Sequence, residues 1–427
     1  MPEQSSSPHL IERVHRFFRD LGPGLVTGAA DDDPSGISTY SVTGAAFGYG
    51  QLWTVLFSFP LMTSIQIMCA RLGLVTGKGL AGNIRARYPR PVLYFACSLL
   101  LVANIVNIGA DLGGMGDAME MVTGVPRYIW IPGFAIGIVS LLIFTSYHWM
   151  AKVFKWMTVV LVAYILAGLL SKPDWGNVIR STFLPNIQWT SAYLTTFLGI
   201  MGTTITPYMF FWQAGQEVEE ERRKGLLSPK KRFSAIDDQL RGAKNDVLTG
   251  MGWAGIIMYF IILTTGTTLH QHGIVEIETA KQAAEALKPF AGNAAYLLFT
   301  LGLVGTGLLG VPILAGSGAY AVSEAMHWRG SLEDKPRVAG KFYTVIALSV
   351  LIGFLLEFIG VNSVKALFWS AVLNGVLAPP LLVMVVMLSG DQKVMGDKTA
   401  PKFVRLLGWI AAVVMGVAAI AMVGFWL

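Results

Sequence analysis

Three consecutive aspartates, Asp31, Asp32 and Asp33, stand directly before Pro34, at the start of an uncharged run from Pro34 to Ala70. A second segment, Thr203-Thr204-Ile205-Thr206-Pro207-Tyr208, places hydroxyls and a proline inside another uncharged run, Ser181 to Gln216. Proline removes a backbone hydrogen bond and clashes with the carbonyl four residues before it, so each segment breaks a helix. A carboxylate beside freed carbonyls is an oxygen-rich cage, suited to a hard divalent cation such as Mg²⁺, Ca²⁺ or Mn²⁺. One Asp at the centre of a membrane helix costs about 2.5–3.5 kcal/mol on insertion scales, and a bound cation is a natural compensation. Asp33, adjoining the proline, is the leading ligand candidate. Asp31 and Asp32 read equally well as caps at a membrane rim or as further functional carboxylates.

The elements that must hold these residues are membrane helices. The chain has 427 residues, 54% hydrophobic and 14% charged, with a mean hydropathy of +0.57. Soluble proteins carry about 25% charged residues. The runs Pro34–Ala70, Ser181–Gln216 and Pro289–Ser323 hold 37, 36 and 35 uncharged residues, each exceeding the roughly 20 that a crossing needs. This predicts an all-α polytopic membrane protein and excludes a soluble enzyme, a nucleic-acid binder and a secreted disulfide module. Cys69 and Cys97, both in apolar stretches, read as small buried hydrophobes. The polar first 20 residues carry no apolar core, so no removable signal peptide is expected.

Eleven spans are predicted, at 24–48, 51–74, 91–120, 128–149, 153–171, 191–214, 247–269, 290–323, 342–360, 364–389 and 405–427. With the N-terminus in the cytoplasm, 26 of the 32 Lys and Arg fall in inside segments. That obeys the positive-inside rule and puts the C-terminus outside. The basic charge is thus topological and implies no nucleic acid; the partners are a divalent cation and the lipid bilayer, and a monomer is allowed. The clean bias fits a bacterial inner (plasma) membrane. The two broken spans are one and six, which cross in opposite senses. Paired broken helices in inverted halves mark the substrate site of a secondary transporter. The predicted organisation is a cytoplasmic tail (1–21), a core (22–389, with repeats 22–171 and 191–389), and a loop with an eleventh helix (390–427).

The residues Gly22-Pro23-Gly24, Asp33-Pro34, Phe47-Gly48-Tyr49, Leu52-Trp53, Ala70-Arg71-Leu72-Gly73 and Thr76-Gly77 resemble the NRAMP divalent-metal transporters. The resemblance extends through Arg85 to Pro89 and to Asp111-Leu112. It implies a LeuT-like inverted 5+5 repeat with broken helices one and six, plus an eleventh helix. The family reads D-P-G-N and M-P-H at the two breaks, where Asp, Asn and Met bind a transition metal with two backbone carbonyls. Here Asp33 matches the Asp, Gly36 replaces the Asn, and Thr206 replaces the Met. By position, the carbonyls of Ala30 and Thr203 match the backbone ligands. A thioether is soft and selects against hard ions; a hydroxyl or bound water suits Mg²⁺, which keeps its waters. The expected relative is therefore the NRAMP-related magnesium transporter branch. Met201 and Met209 flank Thr206 and read as core packing.

The family's proton-linked histidine is Tyr208 here, and its D-L-A-E in span three reads Asp111-Leu112-Gly113-Gly114. The six histidines, His9, His15, His148, His270, His272 and His327, lie in tails or near span ends. Proton coupling is therefore not expected. The membrane voltage alone supplies about 4.6 kcal/mol per 100 mV for two charges. Asp111 is either functional or an interhelical hydrogen-bond partner, and Asn374, near Ser370 and Ala371, either hydrates the ion or bonds between helices. Gln216 to Lys224 reads as a solvated helix end with i,i+4 pairs Glu219–Arg223 and Glu220–Lys224, or as an acidic exit vestibule. Glu324 and Glu357 are expected to snorkel or pair, and Ser234–Asp246 to form a loop. No catalytic constellation and no cofactor is expected. The reading is an importer of Mg²⁺ that also accepts Mn²⁺. The rivals are a proton-coupled Mn²⁺ or Fe²⁺ transporter, an organic-amine or amino-acid symporter of the same fold, and a non-transporting receptor.

Overall fold

The computed structural model describes residues 23–145, 158–226 and 229–425. The predicted tail 1–21, the opening of span five, and His148, Trp149 and Trp156 lie outside them. Span one is two helices, α1 (Pro23–Asp31) and α2 (Pro34–Phe47). Helices α3 (Trp53–Thr76), α4 (Leu80–Arg87), α5 (Arg90–Thr123) and α6 (Arg127–Phe144) follow, then α7 (Val162–Leu170) and a short α8 (Trp175–Phe183). Span six is again two pieces, α9 (Ser191–Thr204) and α10 (Pro207–Arg223). Helices α11 (Pro229–Thr268), α12 (Ala280–Glu285), α13 (Ala295–Met326), α14 (Gly340–Leu356), α15 (Ser363–Gly390) and α16 (Lys402–Gly424) complete the bundle. Among the described residues, nine helical stretches are long and apolar enough to cross a membrane. Span one is absent from that set because its halves are short, and span five because it is described only in part.

Both predicted breaks are present. Asp33 is extended (ψ 173°) and caps α2, and Thr206 is extended (ψ 141°) ahead of α10. Outward-facing Ile136, Phe144, Leu348, Val413, Val417 and Ile420 are exposed, as surfaces bathed in lipid are. Helix α11 carries both halves of span one. Its Gly250 meets Gly28 of α1 backbone to backbone: a Cβ on Gly28 would sit 2.6 Å from the Gly250 Cα. Small residues allow such close approach between membrane helices. Cys69 and Cys97 are free and buried.

Several expectations need correction. Ser234–Asp246 is not a loop but the first part of α11. Ile236, Leu240 and Ala243, at helical spacing, bury against Ala70 and Leu74 of α3. Helices α4 and α8 were not foreseen. Only the end of the Gln216–Lys224 segment, Arg222 to Lys224, is solvated; Glu217, Glu219 and Glu221 are buried. Glu219 pairs with Arg222 at 3.5 Å, not with Arg223, and accepts from Ser331 at 2.8 Å. Glu220 pairs with Arg223 at 2.6 Å and Lys224 at 3.3 Å. Glu221 pairs with Arg232 at 2.8 Å. Glu324 does not snorkel: it caps α4, accepting from the Gly79 and Gly82 amides at 2.6 and 2.9 Å. Glu357 is buried too, its carboxylate filling the space that a side chain on Gly113 would take.

Candidate metal site

Ala30 stands four residues before Pro34, and Thr203 four before Pro207. A proline offers no amide, so both carbonyls lose their helical donor for the same reason. The structure brings these two places together. The Tyr208 hydroxyl, one residue past Pro207, donates to the Ala30 carbonyl at 2.8 Å. A Cβ on Gly36 would lie 3.0 Å from the Asp31 carbonyl oxygen and 3.1 Å from the Thr203 hydroxyl. The first turn of α2 and the end of α9 therefore close on each other across Gly36, where no side chain intrudes. Tyr208 satisfies Ala30 with one hydrogen bond, so that carbonyl retains one lone pair for another partner.

Asp33 is 1% exposed, and both its oxygens are held. Oδ1 accepts from the Ser35 hydroxyl at 2.7 Å and the Gly36 amide at 2.8 Å. Oδ2 accepts from Asn107 Nδ2 of α5 at 3.0 Å. Asp111 lies one turn further along α5, fully buried, with neither carboxylate oxygen hydrogen-bonded. Asp31 and Asp32 are also buried; both Asp31 oxygens and Asp32 Oδ1 have no hydrogen-bond partner. Asp31 and Asp32 are therefore enclosed by protein, and Asp31 caps no helix. The Thr206 hydroxyl is buried without a partner. Asp31, Asp33 and Asp111 all lie within electrostatic reach of the Tyr208 hydroxyl. Buried carboxylates without counter-charges are costly, and a cation or a proton must offset them.

Helix α13 packs closely on this cluster through a glycine. A side chain on Gly310 would begin 3.2 Å from the Asp33 Cβ and 3.8 Å from Asp111 Oδ2. Asn374 is buried on α15 and, among the described residues, makes no hydrogen bond to either break. Met201 and Met209 belong to the apolar core. Among the described residues no three His, Cys, Asp or Glu side chains converge as a metal cluster. The oxygen donors on offer are a carboxylate, hydroxyls and proline-freed carbonyls. Two residues at this place, the polar Asn107 and the closely packed Gly310, carry no sequence signal beyond position in an apolar span.

The site is closed on both sides. A cleft of about 680 Å³ lined by Asp117, Glu120, Arg127, Glu278 and Lys281 opens at one end of the bundle. Beneath it a cavity of about 20 Å³ between Ser38, Gly114, Asp117 and Leu367 has room for about one water. Asp117 lines both and pairs with Arg127 at 3.1 Å. At the opposite end a second cleft, about 710 Å³, is lined by Lys78, Arg85, Glu219, Arg222, Glu324 and His327.

Two broken helices meeting at a buried, oxygen-rich junction inside an apolar bundle define a polytopic membrane protein of the LeuT-like class. The chain belongs to the Nramp family: the model for natural resistance-associated macrophage protein-like sequences matches residues 24–424. Among solved structures it is similar to the manganese transporter of Eremococcus coleocola, with 18% identity, 100% of this chain and 88% of that chain covered, and a TM-score of 0.75. It is also similar to MhsT, solved with L-phenylalanine, at 14% identity, full coverage of both chains and a TM-score of 0.56. The inward-facing form of Mhp1 matches at 15% identity, covering 95% of this chain and 90% of that chain, with a TM-score of 0.52. The fold is therefore that of these transporters, and membership of the Nramp family supports divalent-metal transport.

Proposed function

We propose that this protein carries divalent cations across the membrane, with Mg²⁺ its main substrate and Mn²⁺ also accepted. The observation behind this reading is the buried Thr206 hydroxyl, without a partner, at the position where the family places a thioether. Asp33 is the charged ligand; Thr206 and the Thr203 and Ala30 carbonyls supply neutral oxygens, directly or through water. Gly36 brings no side-chain ligand of its own, so the ion keeps more of its waters, which suits Mg²⁺ because it dehydrates reluctantly. Asp111 faces the same space as a second carboxylate, and Tyr208 holds Ala30 until an ion displaces it.

With the basic segments in the cytoplasm, the Asp117–Arg127 cleft faces outward. It attracts cations through Asp117, Glu120 and Glu278. The ion then passes the Ser38–Gly114 cavity to Asp33 and leaves toward the Arg85–Glu219 cleft. Tyr208 stands where the family has its proton-linked histidine, so in this reading the voltage drives uptake without a coupled proton. The proton-coupled Mn²⁺ alternative takes its support from the likeness to a manganese transporter. One experiment separates the two: flux into liposomes loaded with a pH reporter, with Mg²⁺ and Mn²⁺ in competition. Mg²⁺ entry blocked by Mn²⁺ at constant internal pH is the expected result. Acidification in step with metal entry, or no Mg²⁺ entry, overturns the proposal.

A further inference from the structure

Asn107 sits in the middle of the apolar helix α5, fully buried. Its Nδ2 donates to Asp33 Oδ2 at 3.0 Å. Its Oδ1 has no hydrogen-bond partner at all. A buried amide oxygen left bare in a membrane helix is unfavourable unless something else comes to meet it. Facing a carboxylate, the amide must turn its NH₂ toward Asp33, because two acceptors repel. A cation on Asp33 reverses that preference and attracts the amide oxygen. A half-turn about the Cβ–Cγ bond exchanges the two, and this torsion is broad and roughly two-fold. Gly310 of α13 comes close to both Asp33 and Asp111, the next polar residue along α5: a Cβ there would lie 3.2 Å from the Asp33 Cβ and 3.8 Å from Asp111 Oδ2.

We infer that Asn107 is a specificity-determining ligand of the transported cation, supplying from α5 the amide oxygen that Gly36 cannot supply from α2. The inference rests on the reading of Asp33 as the ion's charged ligand. Without the ion, Asn107 steadies Asp33 as a donor; with it, the same side chain becomes a neutral, hard oxygen ligand. The chemistry favours Mg²⁺ and Mn²⁺ over soft ions such as Cd²⁺.

The test uses the full-length protein in liposomes, with Mg²⁺, Mn²⁺ and Cd²⁺ binding read by calorimetry beside uptake. Asn107→Asp keeps the oxygen and loses the NH₂. A second carboxylate facing Asp33 attracts any divalent cation, so selectivity rather than affinity is read. If Asn107 only steadies Asp33, the Cd²⁺ to Mg²⁺ affinity ratio stays as in wild type. If it is a ligand, the hard carboxylate oxygen lowers that ratio. Asn107→Met puts a sulfur at the δ position; the Cd²⁺ to Mg²⁺ affinity ratio is expected to rise about tenfold or more. A wild-type ratio in Asn107→Asp, or in a folded Asn107→Met, overturns the assignment; should the Met variant not fold, Asn107→Asp decides alone. Asp33→Ala is the control. Wild-type uptake in Asp33→Ala removes the site itself, whereas lost uptake there with unchanged selectivity at 107 removes only the role of Asn107.

Discussion

Metal preference should change when the sulfur and amide of the family site are restored by Thr206→Met and Gly36→Asn. The two substitutions load the structure differently. The Thr206 hydroxyl has no partner, and an orphaned buried polar group costs about 1–3 kcal/mol. Removing it offsets the about 1–3 kcal/mol that extra bulk costs in a packed site, so Thr206→Met should leave stability nearly unchanged. Gly36→Asn is tighter: its Cβ begins 3.0 Å from the Asp31 carbonyl and 3.1 Å from the Thr203 hydroxyl. Either neighbour must yield, and a loss of about 1–3 kcal/mol is expected for that variant. Selectivity moves the other way. Each tenfold gain in Cd²⁺ over Mg²⁺ affinity corresponds to about 1.4 kcal/mol, and one thioether is expected to supply at least that. Calorimetry with Cd²⁺, Mn²⁺ and Mg²⁺ on folded single and double variants, with melting curves alongside, reads both effects. An identical Cd²⁺ to Mg²⁺ ratio in wild type and all variants would refute the ligand-softness reasoning.

Other changes probe the frame. Asp33→Asn keeps a helix cap and loses the charge, so the protein should fold while liposome uptake falls to background; Asp33→Ala should in addition lower the melting temperature, a cap being worth about 1 kcal/mol. Gly28→Ala must push α1 away from Gly250, which lies 2.6 Å from the new Cβ, and should cost about 1–3 kcal/mol by thermal unfolding. Glu324→Gln gives up two charge-assisted bonds to the start of α4, and a loss of about 1.5–3 kcal/mol is expected with uptake retained below the melting transition.

The helical class and the two breaks were legible because they rest on strong local signals. An uncharged run of 36 residues has few soluble uses, and a proline inside one must interrupt a helix. Polar helices were less legible. The 234–246 stretch has too many charges to look like a span, yet Ile236, Leu240 and Ala243 give it one apolar face, read only against α3. The acidic residues of 217–221 looked solvated because i,i+4 pairing can be counted in sequence, whereas the approach of Arg232 and Ser331 cannot. Asn107 was invisible for the same reason. One asparagine in an apolar helix has many structural uses, and only its contact with Asp33 across 74 residues of chain singles it out.

The capping role of Asp33 has one more consequence. Ser35 and Gly36 hold one of its oxygens while Asn107 holds the other, so the anion is solvated by protein before any cargo arrives. A carrier must also make the journey back empty, and a naked charge in the bilayer would stall it there. Here the unladen protein carries its own substitute for water at Asp33, whereas Asp31 and Asp111, buried without a partner, are left to a proton or an ion. The return stroke is thus eased at one carboxylate and still burdened at its neighbours.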